Sequence, residues 1–189
     1  MTEVALDAPV RSFFERLAPL AGPEPDLPAI ASLLAEFSRD TEYLAHHIDR
    51  IRDQSGAKPI HAPERGPRLQ IVHRLEGQMG AVHSHKVWVA IAPIEGVETH
   101  RRYDVLERDE RSARLALAEE RHLGPAETVT MTPPNDVHAH GHVRGIGDPA
   151  YVLILTGDDQ RRYTREQYEL RDGTWRELPP GDGGDWVAR

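Results

Sequence analysis

Two histidines one residue apart, His83 and His85, and a third, His138, closing the run Pro133-Pro134-Asn135-Asp136-Val137, are the residues of this chain best suited to chemistry. In an extended strand side chains alternate between faces, so positions 83 and 85 point the same way. Two imidazoles on one face, met by a third from a distant strand, give three neutral nitrogen donors of the kind that hold a divalent transition metal. Three protein ligands leave positions open for substrate, water or dioxygen, as a catalytic metal requires and a structural one does not. With 11 histidines in 189 residues, a His-x-His also arises by chance on a solvated strand, and the surrounding pattern has to decide.

The elements that would position these residues change character along the chain. Val10, Phe13, Phe14 and Leu17 lie at helical spacing until Pro19 and Gly22-Pro23-Glu24-Pro25 break the run. Ile30, Leu33, Leu34, Phe37, Thr41, Leu44, Ile48 and Ile51 then trace one stripe of a long helix. Pro28 suits its first turn and Gly56 its stop, and His46 and His47 fall off the stripe as surface or boundary residues. From about residue 59 the pattern is β-rich: 68–75, 87–94, 113–118, 128–132, 138–143 and 151–155, separated by Gly- and Pro-containing turns. Short strands in this order suggest a mainly β barrel or jelly roll with N-terminal α-helices packed on it. The expected division is 1–58 as helical cover, 59–178 as barrel and 179–189 as a loose tail.

The stretch His83-Ser84-His85-Lys86-Val87-Trp88-Val89-Ala90-Ile91-Ala92-Pro93-Ile94-Glu95-Gly96 resembles the first metal motif of the cysteine-dioxygenase-like cupins, and more closely their bacterial relatives of the double-stranded β-helix superfamily. Pro134-Asn135-Asp136-Val137-His138 is similar to the second motif. An apolar strand, Tyr151 to Asp158, and an Arg- and Tyr-containing segment follow in the family's order. The resemblance covers roughly residues 66–170 and implies a cupin barrel. It implies a metal held by His83, His85 and His138, without the glutamate ligand many cupins place just after the His-x-His. Fe(II) is the implied ion, with Zn(II), Ni(II) or Mn(II) the other candidates. The implied activity is that of a non-haem oxygenase adding dioxygen to a small molecule, a thiol in the dioxygenases themselves, where the product is a sulfinate. A redox-neutral metal enzyme of isomerase or lyase type and a non-catalytic ligand-binding cupin are the rival readings.

The run His138-Ala139-His140-Gly141-His142 puts three imidazoles on one strand face. His138 matches the family's Pro-x-x-x-His pattern. His140 becomes the neighbouring acid–base candidate and, in a shifted register, the alternative third ligand. His142 is expected at a rim, and His73 and His100 in solvent or core. The chain departs from the family's late Ser-x-His-x-Tyr pattern, having Val152, Ile154 and Thr156 there. That puts oxidation of cysteine itself in doubt and leaves Tyr151 or Tyr163 as candidate phenols from elsewhere. A carboxylate substrate would need a cation, with Arg68, Arg74, Arg101 and Arg102 as candidates.

Composition bounds the rest. Net charge of −8 argues against nucleic acid or an anionic membrane as partner. No apolar run nears the roughly 20 residues of a membrane span. The acidic start Met-Thr-Glu-Val-Ala-Leu-Asp does not read as a signal peptide, so the expected location is cytoplasmic. Cysteine is absent, which excludes disulfides, thiolate ligands and a cysteine–tyrosine crosslink. An exposed sheet edge could pair in a homodimer.

Overall fold

The computed structural model describes residues 6–182. Three helices come first, α1 (Ala8–Leu17), α2 (Leu27–Phe37) and α3 (Thr41–Asp49). Eleven strands follow among the described residues: β1 (Gly56–His61), β2 (Arg68–His73), β3 (Val82–His83), β4 (Val89–Glu95), β5 (Glu98–Arg108), β6 (Ala113–Leu123), β7 (Val129–Met131), β8 (His138–Gly141), β9 (Tyr151–Thr156), β10 (Arg165–Tyr168) and β11 (Trp175–Leu178). A short 3₁₀ turn, Gln160–Arg162, joins β9 to β10. No helix among the described residues is long and apolar enough to cross a membrane.

The strands form two antiparallel sheets, ordered β1-β2-β9-β4-β7 and β11-β10-β3-β8-β5-β6. From β2 to β9, successive strands alternate between the two sheets except at β5 and β6, which form a hairpin. The orders β2-β9-β4-β7 and β3-β8-β5-β6 are those of the double-stranded β-helix, a jelly roll of two Greek keys. Parity then sorts the side chains. Leu153 and Leu155 of β9, Leu69 and Ile71 of β2, and Ala90 and Ala92 of β4 join the helices in one core with Phe13, Ile30, Leu34, Leu44 and Trp88. The alternate residues Val72, Val89, Ile91, Val152 and Ile154 form a second cluster with Val129 and Met131 on the barrel side. Val82, Tyr103, Val137, Ala139 and Tyr168 form a third on the outer face of the other sheet. Each fully buried aliphatic side chain contributes about 1.5–3 kcal/mol.

The long helix expected over the stripe from Ile30 to Ile51 is two helices. Asp40 interrupts it: its carboxylate accepts the Tyr43 N–H at 3.2 Å and starts α3, as Asp26 does for α2 through Ala29. Thr41 is therefore exposed rather than on the buried stripe. Gly56 opens β1 instead of stopping the helix. His47, expected at the surface, is 5% exposed, and burial pushes its pKa down to about 4. Residues 179–182 are tied back, with Gly181 N–H on the Arg161 carbonyl and Arg165 Nη2 on the Asp182 carbonyl. The rest of the expected loose tail lies outside the described residues.

Candidate metal centre

His83 ends the two-residue strand β3, and the chain turns at once, with Lys86 at φ +63°. Three contacts make that turn hold its shape. Ser84 points away from the barrel and hydrogen-bonds Glu166 through both its hydroxyl and its backbone. Lys86 Nζ pairs with the same carboxylate at 2.7 Å. Asp136, 2% exposed, accepts the backbone N–H groups of both His85 and Lys86, at 2.8 and 2.7 Å. So the acidic residue two before His138 fastens the segment that carries His85. The close approach of Gly157 to the Trp88 ring holds the same segment from the other side, where a Cβ would overlap the indole.

On this scaffold His83 pairs with His138 across β3 and β8, and the three imidazoles converge. His83 Nε2 lies 3.0 Å from His85 Nε2, which lies 2.8 Å from His138 Nε2. The rings are 3%, 4% and 0% exposed. Burial pushes His83 down to about 3 and holds His85 and His138 well below the ordinary imidazole range. All three are thus neutral at pH 7, which is the form that donates a lone pair.

The outer nitrogens bear on how this histidine cluster could hold a metal ion. His83 Nδ1 donates to the Ala81 carbonyl at 2.8 Å, so in the neutral ring Nε2 is a bare lone pair. His138 Nδ1 faces Nε2 of the buried His100 at 2.9 Å. His85 Nε2 can give one proton to only one of its two neighbours. Without a cation, nitrogen lone pairs would face one another in a dry interior. Two nitrogens on adjacent corners of an octahedron, each about 2.1 Å from an ion, stand about 3 Å apart; tetrahedral corners stand about 3.4 Å apart. The two observed spacings, His83 to His85 and His85 to His138, are compatible with nitrogens that share a cation.

His140 stands beside this cluster, its ring 5.5 Å from that of His138 and 19° from parallel. Its Nδ1 is hydrogen-bonded to Glu98, which is 1% exposed. Burial pushes Glu98 well up and His140 down to about 3, so the pair favours its neutral form, with the proton kept on the carboxyl. His140 is outside the group whose ligand atoms lie within 4.8 Å of one another, so the structure gathers His138 as the third nitrogen. Arg74 has the parity of Val72 and is 6% exposed, with Nε lacking a partner among the described residues. Its charge acts on Glu98, His140 and His83.

The other expected residues lie elsewhere. Tyr151 shares parity with Leu153 and Leu155, so it packs under the helices and stacks on His73 at 4.1 Å. Tyr163 is 38% exposed and donates to Asp158 at 2.9 Å. Arg68 pairs with Asp159, Arg101 with Glu120 and Arg102 with Asp104. His142, expected at a rim, is 1% exposed because Gly77 N–H and the Gly147 carbonyl bond its ring. Val152 and Ile154 face the barrel. Sequence reasoning missed the Glu98 contact to His140 and the Asp136 tether, and took solvent or core as the first reading for His100, with the barrel face as the second. Only Asp136 carried a signal, by its place in the Pro-Asn-Asp-Val-His run.

No family model and no curated protein sequence matches this chain. Several solved structures are similar to parts of it. The DMSP lyase DddQ of Ruegeria pomeroyi is 13% identical, with a TM-score of 0.40 over 71% of this chain and 56% of that one. A second structure, of DMSP lyases, gives 14% identity and a TM-score of 0.37 over 52% of this chain, and the match spans only 42% of that chain. A Klebsiella pneumoniae protein with a double-stranded β-helix domain is 15% identical, with a TM-score of 0.42 over 59% of this chain and 82% of that one. A cupin from Methanocaldococcus jannaschii gives 12%, 0.39, 58% and 87% for the same quantities. On its own strand order, this chain is a double-stranded β-helix, with a buried histidine triad that could hold a metal ion.

Proposed function

We propose that the protein is a metal-dependent cupin oxygenase, with Fe(II) held by His83, His85 and His138 and a small-molecule substrate bound beside it. The observation that carries this reading is the convergence of three buried, neutral imidazole nitrogens with no carboxylate among them. Such a set leaves the ion its full charge, which favours anionic ligands such as a thiolate or carboxylate. Bound there, the ion would supply open positions for substrate and dioxygen. The protein's own part is to exclude water and orient the substrate. The apolar side chains of Val89, Ile91, Val152 and Ile154 line the opposite sheet, and the buried Arg74 and Arg165, whose charges act on His83, are the cations nearest an anionic group there.

A redox-neutral reading has its own observation. The Glu98–His140 pair beside the triad can hold and move a proton at the His140 ring, which lyase or isomerase chemistry requires and oxygen insertion does not. In that reading Zn(II), Ni(II) or Mn(II) would serve as Lewis acid. One experiment separates the two. Metal content is measured on protein purified without added metal, and oxygen uptake is followed with a panel of small thiols after anaerobic iron loading. Thiol-dependent uptake, lost in His83→Ala, supports the oxygenase. Stoichiometric metal without uptake moves the assignment to the redox-neutral enzyme, and absence of metal under every loading condition removes both.

A further inference from the structure

An imidazole that binds a cation through Nε2 carries its proton on Nδ1, and inside a protein that N–H needs an acceptor. His83 has the Ala81 carbonyl and His138 has His100. His85 has none: its Nδ1 is buried without a hydrogen-bond partner among the described residues. Leaving such a donor unsatisfied costs about 1–3 kcal/mol. One other buried atom nearby is in the complementary state. Oε1 of Gln160, an acceptor, is also buried and without a partner, and the Gln160 amide acts on the His85 ring.

Gln160 is not a side chain free to swing in. It opens the 3₁₀ turn after β9, which Asp159 caps by accepting the Arg161 N–H at 3.0 Å. Asp159 also pairs with Arg161 and Arg68, and Asp158 accepts from Gly66 N–H and Tyr163 Oη. The chain entering the turn is fixed where Gly157 N–H bonds the Trp88 carbonyl, three residues past His85. The chain thus presents an acceptor, on an anchored loop, to the one ligand candidate that lacks one.

We propose that Gln160 is a positioning residue of the metal centre: its Oε1 accepts the His85 Nδ1–H, setting the tautomer and aim of that ring. This rests on reading the three histidines as metal ligands. The loop between β9 and β10 then belongs to the centre as much as the two histidine motifs do.

The test uses the full metal-free chain titrated with Co(II) against a chromophoric chelator, with the visible absorption of the Co(II) form recorded for wild type, Gln160→Leu and Gln160→Glu. Gln160→Leu should weaken Co(II) binding by about 10–100-fold and shift the band, while Gln160→Glu, which keeps an acceptor, should stay within about 3-fold of wild type. Urea midpoints of all three metal-free proteins should agree. Equal affinity and an unchanged spectrum in Gln160→Leu would overturn the inference, as would an equal loss in Gln160→Glu. Failure of the wild type to bind Co(II) would instead sink the metal-site reading beneath it.

Discussion

The two sheets show the barrel interior opposite chemistries. The β2-β9-β4-β7 wall presents Val72, Val89, Ile91, Val152, Ile154, Val129 and Met131. The β3-β8-β5 wall presents His83, His138, His140, His100 and Glu98, all 5% exposed or less. Both walls are equally dry, so burial alone does not distinguish them. What differs is how each is held. The apolar wall stabilises the fold through area removed from water, and any side chain of similar size would serve. The polar wall has buried nitrogens to satisfy and meets most of them through specific partners, Ala81, His100, Asp136, Glu98 and Ser84 with Glu166, while Nδ1 of His85 and of His100 has no hydrogen-bond partner among the described residues. A well-packed apolar core would be at least as stable, so stability alone does not account for a wall built that way.

Breaking the polar wall should act on binding before stability. His138→Ala should reduce metal content after loading from about one ion per chain to a trace, read by elemental analysis, since two imidazoles hold a divalent ion far more weakly than three. Retention of a full equivalent in that variant would show that the cation, if any, sits elsewhere. Breaking the apolar wall should act the other way. Ile154→Ala should lower the unfolding free energy by about 2–5 kcal/mol in urea, yet leave metal affinity within about 3-fold. If it abolished metal binding as well, the two walls would not be separable in this way.

Asp136 sits between these cases, a polar residue with a structural task. Asp136→Ala removes the acceptor of two backbone N–H groups and should cost about 2–3 kcal/mol while also weakening metal binding, because His85 loses its tether. Loss of stability with unchanged metal affinity would separate the tether from the centre. The smallest effect concerns pH. The hydrogen bond from Arg161 holds Asp159 at about 2, below its ordinary 3.8, with Arg68 assisting. A depressed carboxylate stabilises the fold fully above its unfolded value and ceases to do so as pH falls through its folded one. Asp159→Asn should therefore flatten the decline in urea midpoint between pH 4 and 2, by on the order of 1–2 kcal/mol. An unchanged decline would show that other carboxylates govern acid unfolding.

The sequence disclosed the chemistry of the polar wall better than its supports. His83, His85 and His138 were legible because ligand type and spacing are local facts. So were six of the strand segments, from β2, β4, β6, β7, β8 and β9, where apolar residues recur. The long β5 was not, because Glu98, His100, Arg101 and Arg102 give it no apolar alternation; its pairing with β6 and β8 defines it. Glu98 stayed hidden with it, and His100 was weighed toward solvent or core. Gln160 carries no local signal at all, since its importance depends on where a distant loop folds back. The break at Asp40 was missed because an aspartate before Thr41-Glu42 reads equally as a helix surface or a cap.

The position of β9 has a consequence for how the protein is made. It lies between β2 and β4, so the first sheet has a gap until residues 151–156 arrive, and the histidine of β8 has come only shortly before. A chain emerging from the ribosome carries His83 and His85 long before it can hold them against His138. Contacts this distant in sequence form slowly. The histidine triad is thus completed only late in synthesis, once most of the barrel that must hold it has been made.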